Sequence, residues 1–233
     1  MTNAPISIDS IRYEIGGTSI LNTMSLNIAE HRIAIIGRNG SGKSTLAQIL
    51  CGLIQPTQGR VNIDQIDVYR DRKAAISRVG ILFQNPDHQI IFPTVGEEMA
   101  FGLRQLGQSK ADVENHVHQM LQQFGKSDWY DRAIVTLSQG QRQLVCLMAV
   151  LAMGPKVLVL DEPFSGLDIP TTRTLSAYLD PLPQTILHIT HDPNIAMTCD
   201  RVIWMETGTI VQDGTPNDVV PAFLNAMNTA VDL

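Results

Sequence analysis

Two hydrophobic rhythms alternate along the chain. Arg32–Ile36, Val79–Phe83, Val157–Leu160, Thr185–Ile189 and Arg201–Met205 are short, apolar and rich in β-branched residues. They read as buried strands, three of them closed by Gly37, Asp161 and Thr190. Met24–Ile28 alternates apolar and polar residues after the turn signal Gly16-Gly17, which suits an antiparallel strand with one wet face. From about Glu97 to Met153 the period lengthens, and the spacing predicts helices and no strand. Ser109–Asp112 resembles a capping box, and Val113, Val117, Met120, Leu121 and Phe124 follow at helical spacing until Gly125. Gln141–Met153 is apolar nearly all round, so that helix must be buried on most sides before Gly154-Pro155 stops it. Gly208–Pro216 reads as a turn, followed by a short helix over Asn217–Asn228. Short strands alternating with helices give the α/β class.

Composition narrows the setting. With 233 residues, 44% hydrophobic and 17% charged, the chain has material for one large domain or a compact pair and is not disordered. The net charge of −6 argues against nucleic acid as a partner. The longest apolar run, Leu144–Met153, is about half of the ~20 residues that a membrane span needs, and the first residues lack the basic and apolar regions of a secretory signal. Cys51, Cys146 and Cys199 show neither disulfide nor metal spacing and read as reduced core fillers. The expectation is a soluble, acidic, intracellular protein.

The chemistry concentrates in a few segments. Gly37, Arg38, Asn39, Gly40, Ser41, Gly42, Lys43, Ser44 and Thr45 fit G-x-x-x-x-G-K-[ST] between a predicted strand and a helix over Ser44–Cys51. Such a loop turns successive backbone N–H groups around a β-phosphate, Lys43 reaches the β- and γ-phosphates, and the Ser44 hydroxyl ligates Mg2+. Val157–Glu162 is a strand ending in two carboxylates; beside a phosphate loop, Asp161 suits Mg2+ held through its water shell, and Glu162 suits polarisation of the attacking water. Ser138 stands where it would cap the apolar helix.

The order of phosphate loop, Leu137-Ser-Gln-Gly-Gln141, Leu160–Asp168 and His191 resembles the ATP-binding-cassette ATPases over nearly the whole chain. The resemblance implies an ABC-type P-loop NTPase, with a RecA-like core, an N-terminal antiparallel β subdomain and an inserted α-helical subdomain. It implies one nucleotide-binding domain over 1–225, with core at 1–84 and 156–216, helical part at 85–155, and a short helix and tail at 217–233. It gives Tyr13 the stacking position on adenine, Gln84 contact with Mg2+ and the lytic water, and His191 contact with the γ-phosphate. Two such ATPases, identical or different, would face head to tail. Ser138, Gln139, Gly140 and Gln141 of one would close over the ATP of the other, and Ser165, Gly166, Leu167 and Asp168 would cross to the partner. Gln139 departs from the usual glycine of this signature, and Leu144 stands where a basic residue is common.

Asn85–Gly102, with Asn-Pro-Asp-x-Gln, Thr-Val-x-Glu and Ala-Phe-Gly, is similar to the ATPase subunits of energy-coupling-factor transporters, importers of vitamins and transition metals. There the segment lies by the groove that receives helices of a transmembrane partner. Ile90, Ile91, Phe92 and Phe101 offer apolar anchors flanked by Glu97 and Glu98, which suits an amphipathic, partly basic helix, while Phe101 also suits packing within the helical part. By this resemblance the short chain is expected to be without the C-terminal dimerisation extension usual in the cobalt and vitamin-sharing branches, and it looks most like the subunits of dedicated biotin transporters. A cobalt or nickel transporter and a soluble cassette of a cytosolic assembly system stay open. The resemblance implies ATP and Mg2+, a second ATPase, a transmembrane coupling protein and a substrate-binding membrane protein, at the cytoplasmic face of the membrane.

Overall fold

The computed structural model describes residues 4–229. In chain order the elements are β1 (Ile6–Ile15), β2 (Thr18–Ile28), β3 (Arg32–Ile36), α1 (Lys43–Leu50), β4 (Gln58–Ile63), β5 (Ile66–Asp67), α2 (Arg72–Ala75) and β6 (Val79–Leu82). Then follow α3 (Val95–Gln105), α4 (Lys110–Gln123), α5 (Gln139–Ala152), β7 (Val157–Asp161) and α6 (Ile169–Leu179). The chain ends in β8 (Thr185–Ile189), α7 (Pro193–Met197), β9 (Arg201–Glu206), β10 (Thr209–Gly214) and α8 (Pro216–Thr229). Two compact units result: one from residues 4–79, 156–162 and 184–229, the other from 80–155 and 163–183.

The first unit holds two sheets. One is antiparallel, in the order β2-β1-β4-β5. Sequence reading places no strand at β1, because its alternation slips: Ile6 and Ile8 are buried, Ser10 takes a left-handed φ of 49°, and Ile11 is buried next. The register of β1 on β2 shifts at that point, a bulge that defeats a strict period of two. The other sheet runs β10-β9-β3-β8-β7. Its strands β7, β8, β3 and β9 pair in parallel, and every residue of β7 and β8 is buried, which is why these segments lack polar alternation. The stretch expected to be a turn at Gly208–Pro216 is instead strand β10, antiparallel to β9, and only Thr207-Gly208 makes the turn. Gln58–Asp67 likewise contains two strands that the apolar pattern does not announce.

Helix α8 is part of this core. Val219, Val220 and Phe223, at helical spacing, pack with Ala34, Ile36, Val202 and Trp204, and the Phe223 ring meets Trp204 edge-on at 5.6 Å. The tail past Thr229 in the expected 217–233 segment lies outside the described residues. Among these, no helix is long and apolar enough to cross a membrane. The cysteines are free, and burial pushes their thiols up, that of Cys199 to about 12.

The second unit is built on α3, α4, α5 and α6. The sequence reading assigns 156–216 wholly to the core, whereas Pro163–Pro183 belongs to this second unit. The reason is packing: Leu175 and Leu179 of α6 are buried, the Tyr178 hydroxyl donates to Phe124 O at 3.3 Å, and the two rings lie 4.8 Å apart. Helix α4 starts at the expected cap, where the Asp112 N–H donates to Ser109 Oγ at 3.2 Å.

Candidate active site

Strand β3 delivers the chain into a loop that only glycine permits at two points. Gly37 is buried at φ 154°, and a Cβ there would stand 2.1 Å from Met205 O. Gly42, at φ 97°, would collide with Leu21 Cδ2 at 2.6 Å. Lys43, only 5% exposed, donates from Nζ to Gly37 O at 2.8 Å and Arg38 O at 2.9 Å, so the loop is wrapped around its ammonium. Burial lowers the Lys43 pKa, against the opposing pull of Glu162, Asp161 and Glu206. Ser41 Oγ is buried and has no hydrogen-bond partner among the described residues.

The loop is fastened from outside by residues the sequence reading missed. Arg38 N–H donates to Glu206 Oε1 at 3.3 Å, and Trp204 Nε1 donates to the same oxygen at 3.2 Å. Gly208 N–H donates to Ser41 O at 3.0 Å, while Asn22 N–H donates to Gly208 O at 2.9 Å. The Glu206–Gly208 turn carries a faint sequence signal for this support, an acid two residues before a glycine. Its role depends on β9 lying beside β3, which the local pattern does not state.

Four further side chains gather here. Ser44 Oγ donates to Asp161 Oδ1 at 3.1 Å, placing two hard oxygen donors side by side in the manner Mg2+ accepts. Burial raises the Asp161 pKa, the Ser44 hydrogen bond and Lys43 lower it, and Glu162 raises it again. Glu162 takes a left-handed φ of 48°, rare for a side chain with a Cβ, while its N–H donates to Ile189 O at 2.9 Å. Its Oε2 lies 3.4 Å from Nδ1 of His191, whose side chain is 64% exposed. Tyr13, in β1 opposite Leu21, is half-buried.

The remaining candidates lie in the second unit. Gln84 Nε2 donates to Ser165 Oγ at 3.0 Å. Ser138 caps α5 with a full capping box, exchanging hydrogen bonds with Gln141 at 3.3 and 3.0 Å. A Cβ on Gly140 would stand 2.3 Å from Thr171 Cγ2 of α6, so this glycine serves close helix packing as well as any ligand. The unusual Gln139 is exposed, and its Nε2 lies 3.5 Å from where a Cβ of Gly166 would be. Asp168 caps α6 by accepting from Thr171 N–H at 2.8 Å, and the Thr171 hydrogen bonds hold its carboxyl below the usual range.

Residues 21–165 match the family model described as ABC transporter. This chain belongs to the ABC transporter ATPases. It is 46% identical over 95% of both chains to the biotin transport ATP-binding protein BioM of Rhodobacter capsulatus. It is 38% identical to BioM of Rhizobium etli, over 89% of this chain and 92% of that one. Among solved structures it resembles CbiO1 of Clostridium perfringens, part of the ABC transporter complex CbiONQ, with TM-score 0.78, 31% identity and coverage of 95% and 93%. It also resembles an ATP-binding cassette solved as a dimer in a post-hydrolysis state with ADP and phosphate, with TM-score 0.79, 26% identity and coverage of 91% and 98%. The protein is an ATP-binding enzyme, an ATPase, with the mixed α/β ABC fold.

In this ABC ATPase the segment after Gln84 departs from the sequence reading at two side chains. Glu98 does not flank a groove with exposed charge. It is 7% exposed, and its Oε2 accepts from Ile91 N–H and Phe92 N–H at 2.9 Å each, so it shapes the loop from within. Glu97 is exposed and accepts from Thr94 Oγ1 at 2.6 Å at the start of α3. Phe101, expected to pack inside, is 37% exposed, with its ring 5.3 Å from that of half-buried Phe92. Ile91 is 69% exposed, and Ile90 is half-buried. Leu144, where a basic residue is common, is 5% exposed and lines a cavity of about 290 Å3 with Trp129, Leu175 and Gly140, so it packs as an apolar residue.

Proposed function

We propose that this ATPase is the motor subunit of an energy-coupling-factor-type importer, with biotin as the favoured cargo. The observation that carries this reading is the 46% identity over 95% of both chains to a biotin transport ATP-binding protein. The segment with exposed Ile91 and Phe101 beside Phe92 supports it, since an apolar surface there suits a protein partner. A cobalt or nickel importer, which the family resemblance leaves open, is the second reading; the likeness to CbiO1, part of an ABC transporter complex, at 31% identity supports a transporter ATPase under either.

The chemistry follows from positioning and charge. Lys43 and the loop N–H groups hold the phosphates of ATP, and Ser44 and Asp161 hold Mg2+, which supplies charge neutralisation on the phosphates when bound. Glu162 orients water for in-line attack, and His191 stands beside it to contact the γ-phosphate. Tyr13 supports adenine, and Gln84 keeps the role the family likeness gives it at Mg2+ and the water. Ser138, Gln139, Gly140 and Gln141 contact the ATP held by a second ATPase subunit, and Ser165–Asp168 cross to that subunit. A transmembrane coupling protein docks on Ile90, Ile91, Phe92 and Glu97, and a substrate-binding membrane protein captures the cargo. The chain thus works at the cytoplasmic face of the membrane through its partners.

Copurification of the tagged chain from native membranes, followed by uptake of labelled biotin and of labelled cobalt in vesicles, tests the reading. ATP-dependent biotin uptake is the expected result. Cobalt uptake alone would select the second reading, and recovery of the chain without any membrane protein would overturn both.

A further inference from the structure

Two adjacent residues of α5, just past the Ser138–Gln141 turn, reach back to the segment around Gln84. Arg142 Nε lies 2.9 Å from Asp87 Oδ1, and its Nη1 donates to Leu137 O at 2.7 Å. One planar guanidinium therefore binds both the segment that follows Gln84 and the carbonyl immediately before Ser138. Gln143, 1% exposed, donates from Nε2 to Phe83 O at 2.9 Å. On the other side Gln89 Oε1 accepts from Phe83 N–H at 3.2 Å, and its Nε2 donates to Ile81 O at 3.3 Å. The backbone of Phe83, the residue before Gln84, is thus held at both its N–H and its C=O by side chains, one of them from α5. Pro86 is buried under the Pro86–His88 turn, which Asn85 caps by accepting from Asp87 N–H at 3.0 Å.

We propose that Arg142 is a positioning residue that couples the 85–92 segment to the Ser138–Gln141 turn, with Gln143 as the second tie that holds Gln84 in register with α5. This rests on the reading of Ser138–Gln141 as the turn that meets a second subunit's ATP and of 85–92 as the partner-facing segment. The physical argument is the rigidity of the group. Arg142 Nε stands 2.9 Å from Asp87 Oδ1 in an ion pair, and Nη1 of the same plane is bonded to Leu137 O, so a shift of Asp87 must either loosen the ion pair or pull on Leu137 O. The Asp87 side chain is 59% exposed and that of Arg142 only 23%, so the link ends on a surface where a partner can move it and starts from a half-buried stem. Ion pairing alone would be weak at such exposure. The carbonyl bond at the other end of the same group makes it directional.

The test uses the full chain and two measurements. Hydrogen exchange of the isolated protein should show amides over 138–142 exchanging roughly fivefold faster in Arg142→Gln and Asp87→Asn, and also in Arg142→Lys, which keeps the charge but not the rigid plane. His88→Ala, in the same segment without a part in the link, should leave those amides unchanged. Exchange at wild-type rates in Arg142→Lys and Asp87→Asn would overturn the link whatever the transported cargo. In the complex with its membrane partners, Asp87→Asn should lose at least about fivefold of the partner-dependent stimulation of ATP hydrolysis, while turnover of the isolated chain stays within about twofold. Equal loss in both settings would reduce Arg142 and Asp87 to a structural brace. A wild-type complex without stimulation would count against the transport reading and leave the exchange result to decide the link.

Discussion

At the scale of single residues, the catalytic unit is a set of groups placed against their solvation preferences. Lys43 is buried with two carbonyl oxygens as its partners, and Asp161 is buried with one hydroxyl. Both are ready for charges of opposite sign that a nucleotide and its ion bring. Lys43→Ala should weaken ATP binding by roughly 100-fold or more, measured by titration calorimetry, because the loop is wrapped around this buried ammonium. Glu162→Gln keeps the size of the side chain and should keep ATP affinity, but it should cut hydrolysis by about 100-fold or more in a phosphate-release assay. Gly37→Ala places a methyl 2.1 Å from Met205 O and should abolish nucleotide binding along with the loop's shape. Most of these residues were legible from spacing alone, since phosphate chemistry requires glycines, a lysine and a hydroxyl in one order. Glu206 and Gly208 were not, because their contacts with the loop run between strands that are neighbours only in the sheet.

At the scale of elements, the start of α3 separates two adjacent carboxylates. Glu98 is sealed under the Ile91-Phe92 backbone, and Glu97 faces solvent. Glu98→Ala should lower stability by about 2–3 kcal/mol in urea unfolding, since two buried N–H groups lose their acceptor, while Glu97→Ala should cost about 1 kcal/mol or less. Only the second variant is then a clean probe of partner docking. The helical period locates α3 but does not say which of two neighbouring acids turns inward; that depends on how the preceding loop folds back. The helices of the second unit were readable because caps and apolar spacing agree with each other at Ser109 and Ser138. Strand β1 was not, because its bulge at Ser10 breaks the alternation on which strand reading depends.

At the scale of the whole molecule, two expectations concern stability and assembly. His188, in the middle of β8, is 9% exposed, and burial, helped by Arg32, pushes its pKa down to about 4. The folded protein therefore holds it neutral, whereas the unfolded chain protonates it near the ordinary value of about 6.5. The stability it preserves is complete above pH 6.5 and is lost as pH falls towards 4, about 2 kcal/mol of it between pH 7 and pH 5. Urea unfolding at those two pH values should show that loss, and His188→Gln should flatten it. With ATP, the Glu162→Gln protein should elute as a dimer in gel filtration; elution as monomer only would remove the head-to-tail model of the second subunit.

The sequence by itself determined the fold class, the phosphate loop, the paired carboxylates, the helix caps and the family to which they belong. These depend on local order, on spacing and on the strict geometry that phosphate binding imposes on a short segment. Tertiary structure alone decided that α6 sides with the second unit, that α8 seals the core against Trp204, that Glu98 is a brace, and that Arg142 faces Asp87. Each of those is a contact between segments distant in sequence or folded back on each other. No periodicity along the chain encodes which apolar face or which charge will meet it.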